Sequence, residues 1–200
     1  MPNKLVYGAV LLALGAVDNA TAGSFANGGF ESGDFSGWTQ GSGYWNGGWP
    51  MNPANYQTGA ANYDASAQAS AVVGAGLDPV LVEQGVNIQQ VYSGNYSARI
   101  NDGNANYSVN TIQQTVLNYT DPKIYFAWSA VLIGSHGATD SDNFTLTLHD
   151  NTSNTDLYNV TYSSANAPAS FKEINGIYYS DWQVQILDVS TLSGHSFTLS

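Results

Sequence analysis

Alternation of apolar and polar positions is the clearest signal in this chain. From Ser108 to Tyr119, Val109, Thr111, Gln113, Thr115 and Leu117 alternate with Asn110, Ile112, Gln114, Val116 and Asn118. A period of two places neighbouring side chains on opposite faces of a strand. Phe144, Leu146 and Leu148 against Thr145, Thr147 and His149 repeat the pattern more cleanly, with the apolar set inward. Asp150 to Asn154 predicts a turn, after which Leu157 to Tyr162 pairs back. Tyr96 to Ile100 is a strand bounded by Gly94-Asn95 and Asn101-Asp102-Gly103, and Trp182 to Ile186 is another period-two strand. Asp188 to Gly194 then predicts a turn into Phe197 to Leu199. Lys123 to Gly134 is almost continuously apolar. Its β-branched and aromatic content favours a central strand over a buried helix. Ala167-Pro168 opens an edge-like strand through Phe171.

The first hundred residues punctuate differently. Ser24 to Glu31 predicts a short strand, reversed by a glycine-rich turn at Ser32-Gly33-Asp34, with Phe35 and Trp38 carrying apolar bulk back. Gly41 to Pro50 reads as the start of a long loop that bears Tyr44, Trp45, Trp49, Tyr56 and Tyr63, because Pro50 and Pro53 exclude a central strand. Ala65 to Gly76 leaves helix, strand and loop open, and Asp78-Pro79 marks a turn before an apolar step to Val82. Strands at this spacing, without a long amphipathic helix, predict an all-β chain, an antiparallel β-sandwich.

Composition narrows the function classes. Only 10% of the 200 residues are charged, and Asn, Ser, Thr, Gln and Gly take their place, which suits turns and strands. Four basic against 15 acidic residues give a formal net charge of −11. A chain of that sign repels phosphate backbones and anionic lipid, so nucleic acid is excluded as a partner. There is no cysteine, hence no disulfide and no thiolate metal site.

Lys4, the apolar run Leu5 to Val17 and the small-x-small triplet Ala20-Thr21-Ala22 have the form of a signal peptide. The run falls short of the roughly 20 residues that span a bilayer. Cleavage after Ala22 is expected, giving residues 1–22 as signal peptide and 23–200 as one domain. Loss of Lys4 and Asp18 leaves the net charge unchanged. No membrane span is expected in the mature chain.

Two stretches together carry a family resemblance. Asn27-Gly28-Gly29-Phe30-Glu31, followed by Gly33-Asp34-Phe35 and Gly37-Trp38, is similar to the opening of jelly-roll domains with a galactose-binding-like or carbohydrate-binding-module fold. Trp182, Val184, Asp188-Val189-Ser190, Leu192, Gly194 and Phe197-Thr198-Leu199 resemble the stretch near the end of such domains. With the signal peptide, the set resembles exported bacterial proteins of the PEP-CTERM class. The resemblance implies a jelly-roll sandwich, exopolysaccharide or cell-surface function, and a structural calcium held by the glutamate of the opening stretch, here Glu31. Members carry a final strand and a Pro-Glu-Pro sorting tail. Neither occurs before Ser200, so the domain is expected to lack its last strand here.

Candidate chemistry is sparse. Ser135-His136 beside Asp140 and Asp142 sits in a polar turn, His149 lies on a solvent face, His195 lies in a turn, and no Gly-x-Ser-x-Gly, His-Glu-x-x-His or phosphate-loop motif occurs. No catalytic residue is assigned and no cofactor is required. For carbohydrate, Tyr44, Trp45 and Trp49 are the candidates, since flat aromatic faces cover sugar CH groups, with Asn46 and Asn52 as hydroxyl partners. Packing over the end of the sandwich competes with that role. The expectation is an exported, non-catalytic protein of the cell surface or matrix with a polysaccharide or cell-envelope glycan as partner. A secreted glycan-active enzyme or its accessory domain, and a purely structural surface protein, are the alternatives.

Overall fold

The computed structural model describes residues 8–13, 23–47, 51–104, 106–134, 137, 140–166 and 169–200, which form a two-sheet antiparallel sandwich. Its strands are β1 (Gly8–Ala13), β2 (Thr39–Tyr44), β3 (Ala71–Gly74), β4 (Tyr96–Ile100), β5 (Ser108–Tyr119) and β6 (Lys123–Ile133). They continue with β7 (Asn143–Asp150), β8 (Thr155–Ser163), β9 (Phe171–Ile174), β10 (Ile177–Ser180), β11 (Gln183–Asp188) and β12 (His195–Leu199). One sheet runs β3-β4-β1-β6-β10-β9, with β11 also on β6; the other runs β2-β5-β12-β7-β8.

The alternation explains the core. Ile112 and Val116 of β5, Phe144, Leu146 and Leu148 of β7, and Phe197 and Leu199 of β12 point inward from one sheet. Ile124, Phe126, Trp128, Ala130 and Leu132 of β6 meet them from the other. The rings of Trp128 and Phe144 lie 5.2 Å apart across the layers, and Tyr158 meets Phe126 edge-on at 5.6 Å. The long apolar run is a central strand, because the second face of β6 is covered too. A single helical turn, α1 (Pro79–Val82), capped by the buried Asp78 side chain, seats Leu81 and Ile88 on Val131, Ile177 and Tyr179.

The segment with signal-peptide character supplies β1. Gly8–Ala13 pairs with β6 over Leu132 to Ala127 and with β4 over Ile100 to Ala98, inside the sheet. A short aliphatic run satisfies a strand slot as well as it satisfies a leader.

Two expectations are corrected. Ser24 to Glu31 is a chain of turns, not a strand. Asn27 and Phe30 have φ of +48° and +59°, which an extended strand does not allow. Asn27 builds the turns itself: its Nδ2 donates to the Asp34 and Ser36 carbonyls and its Oδ1 accepts from the Ser32 amide. Phe30 then stacks on Trp38 at 5.3 Å, fully buried. The loop expected from Gly41 also starts late, because Thr39–Tyr44 is β2, paired with Ser108 to Gln113. Gly41 is there for close approach, not for a turn. A Cβ on it would sit 2.6 Å from the Tyr56 carbonyl and 2.5 Å from Thr111 Oγ1.

Candidate functional site

Among the described residues, β2 and β5 bring the candidate Trp45 to the wall of a cleft. The last residues of β2 lead into Trp45, whose amide donates to the Tyr107 carbonyl at 2.9 Å. Tyr107 precedes β5, and the two rings lie 6.1 Å apart at 33°. Tyr107 is 53% exposed, while Trp45 is half-buried. Both wall a cleft of about 390 Å³ that continues between β5 and β7. The rest of the wall mixes amide and hydroxyl side chains, among them Asn52, Gln57, Asn104, Thr111 and Asn143, with apolar ones such as Met51, Ile100, Val109 and Leu132. Several are held in place: Gln57 Nε2 donates to Thr111 Oγ1 at 2.7 Å, and Asn52 Oδ1 caps a 3₁₀ turn at Pro53–Tyr56.

Asp142 also lines this cleft. Its Oδ2 accepts the Ile133 amide at 2.8 Å. Burial pushes its carboxyl up to about 8, and that one hydrogen bond offsets only part of the effect. At neutral pH the group is therefore largely a neutral acid, able to donate and to accept a hydrogen bond.

The other sequence candidates fall elsewhere. Tyr44 ends β2 with 41% exposure and does not line the cleft. Trp49, like Ser135 and His136, lies outside the described residues. His149 is on the outer face of β7, 2.7 Å from Asp156, as its alternation implies. His195 opens β12, where Nδ1 lies 2.8 Å from Asp150 Oδ2. Burial raises the Asp150 carboxyl, but Ser153, His195 and the amides of Thr152 and Ser153 together outweigh it and hold the group at about 2. This pair closes a turn.

Glu31 has a structural task. Oε1 accepts the Asn95 and Tyr96 amides at 2.9 and 3.2 Å, and Oε2 accepts Asn95 Nδ2 at 2.8 Å. The Asn95 side chain first, then its amide, lowers the carboxyl below its usual value. Calcium takes six to eight oxygen ligands. The groups bonded to Glu31 are all N–H donors, so its surroundings do not fit the calcium that the resemblance implies. Among the described residues no three acidic or histidine side chains gather at a metal-ligand spacing.

Tyr107 is the functional candidate that alternation misses. It sits at φ +58° beyond a polar loop, outside any period, and only its pairing with Trp45 makes it stand out. No family model matches the chain, and no curated protein or solved structure matches it.

Proposed function

We propose that this is an exported, non-catalytic glycan-binding protein of the bacterial cell surface or matrix, a jelly-roll domain of the PEP-CTERM class. The ligand is an uncharged polysaccharide segment seated at the Trp45–Tyr107 end of the cleft. One observation carries the reading: two aromatic rings 6.1 Å apart wall a cleft whose lining sets amides and hydroxyls among apolar side chains. Aromatic faces cover the CH faces of pyranose rings, while amides match hydroxyls in both directions. The acidic charge favours a neutral glycan over an anionic one, since like charges repel.

Binding to an array of neutral bacterial and plant polysaccharides, followed by titration calorimetry, tests this. Trp45→Ala and Tyr107→Ala are each expected to weaken binding at least ~10-fold, in line with about 1.4 kcal/mol per decade. Tyr44→Ala is expected to bind as the parent does. Unchanged affinity in both cleft variants removes the site, and polysaccharide turnover by the purified protein removes the non-catalytic reading.

A further inference from the structure

β11 is an edge strand that carries apolar side chains into solvent. It pairs with β6 from Gln183 to Asp188, and among the described residues no strand pairs with its other side. Val184 and Ile186 are 43% and 62% exposed, and Tyr125, opposite Ile186 on β6, is 40% exposed. Trp182, just before the strand, continues the same period of two, with the exposed Tyr92 ring 5.5 Å away. The other edge strands are guarded against pairing. β9 carries Lys172 and Glu173, β8 exposes Asp156, Asn159 and Thr161, and β3 has only four residues. The edge of β2 is met at Gly41 by Gln57. β11, by contrast, has no charge between Asp181 and Asp188, no proline and no glycine. An uncharged apolar edge whose N–H and C=O groups have no strand partner is a template for pairing with another chain.

We propose that β11 is a self-association edge, at which a second copy of this chain adds its own β11 in antiparallel register about a two-fold axis. A closed pair of this kind joins the two sheets edge to edge through backbone hydrogen bonds. The residues select the occupant, because the strand is complementary to itself. With the axis through Gln185, Val184 of each copy falls opposite Ile186 of the other, which places aliphatic against aliphatic. The two Gln185 side chains, each both donor and acceptor, fall opposite one another. Gln183 falls opposite Leu187, and Asp188 opposite Trp182, so no carboxylate faces another. Asp181, just outside the pairing, is already paired with Lys172. A net charge of −11 sets two copies repelling, which favours an uncharged edge as their point of approach. The proposal goes beyond the glycan reading and does not rest on it.

Sedimentation velocity of the 200-residue chain from ~5 to ~500 µM, in about 150 mM NaCl, tests this. A dimer is expected, half dissociated at or below ~100 µM, as suits a small interface. Amide exchange at Val184–Leu187 is expected to slow as concentration rises through that value. Ile186→Lys and Val184→Lys change exposed side chains, and each is expected to raise the dissociation constant at least ~10-fold while Tm stays within ~2 °C of the parent. Each added lysine makes the net charge less negative, so a weaker dimer cannot come from added repulsion. Leu117→Lys, at a site 63% exposed on β5, is expected to dimerise as the parent does. A parent that stays monomeric throughout overturns the proposal, and so do β11 variants that dimerise unchanged. An equal loss in Leu117→Lys assigns the association to exposed apolar surface in general and removes it from the edge.

Discussion

Asp142 is the residue whose ionisation departs furthest in the destabilising direction. Its folded-state carboxyl is raised to about 8 against roughly 4 in an unfolded chain, so the folded state holds its proton more tightly. That stability is fully present below pH ~4 and is lost as pH rises through ~8. Asp142→Asn keeps an acceptor for the Ile133 amide without the charge. It is expected to raise Tm at pH 8 to 9 and to flatten the pH dependence above ~4, measured by scanning calorimetry. A variant whose Tm–pH curve parallels the parent's would sink the idea. Glu31 behaves oppositely: its lowered carboxyl contributes stability above its unfolded value and loses it on acidification. Glu31→Gln turns an amide donor toward the Asn95 or Tyr96 donors. A loss of about 1 kcal/mol is expected in urea unfolding, at the low end for hydrogen bonds to a charged group because the site is exposed. Neither role is legible in the sequence. The partner of Glu31 is 64 residues away and that of Asp142 is a backbone amide, so no local pattern marks either.

Elements were legible wherever burial on one face wrote a period into the residues. β5, β6, β7, β8 and β11 lie where alternation or an apolar run places them. β2 escaped because the outer face of the sheet is overlaid there by the Asn52–Asp64 region, which leaves room only for glycine at positions 41 and 43. Glycine in sequence signals a turn, whereas here it signals contact. Gly43→Ala would place its Cβ against the Asn62 carbonyl and the Tyr56 ring. A loss of about 2 kcal/mol is expected from that overpacking, and urea unfolding checks it. Gly47→Ala, with open space around it but φ of +88°, is expected to cost about 1 kcal/mol through strain alone. β1 makes a different prediction. A chain that starts at Gly23 leaves Ala98–Ile100 and Ala127–Leu132 without the strand between them. Its Tm is expected to fall by at least ~5 °C, with faster amide exchange confined to β4 and β6. Unchanged protection there would mean that β1 contributes nothing to the sheet.

Across the whole molecule the charges set the response to salt and acid. With 15 acidic and 4 basic residues, self-repulsion opposes the compact state. Raising NaCl from 10 to 150 mM is expected to increase Tm, as the screening length shortens from about 30 to about 8 Å. The carboxyls of Asp34 and Asp150, both held at about 2, and of Glu31 stabilise the fold above pH ~4, while Asp142 stabilises it below pH ~8. These opposed slopes place the stability maximum on the acid side of neutrality, between pH ~4 and ~7, and a thermal series across pH 3 to 9 locates it.

By itself the sequence determined the fold class, because a strand with one buried face must alternate and a fully buried strand must be continuously apolar. It also determined the sign of the net charge. Only the tertiary structure decided which aromatics share a cleft. Trp45 and Tyr107 are 62 residues apart and meet through the pairing of β2 with β5. Likewise, β5 and β7 face one another across the cleft because β12 fills only half of the space between them. Pairing across sheets depends on long-range register, and no periodicity along the chain encodes it.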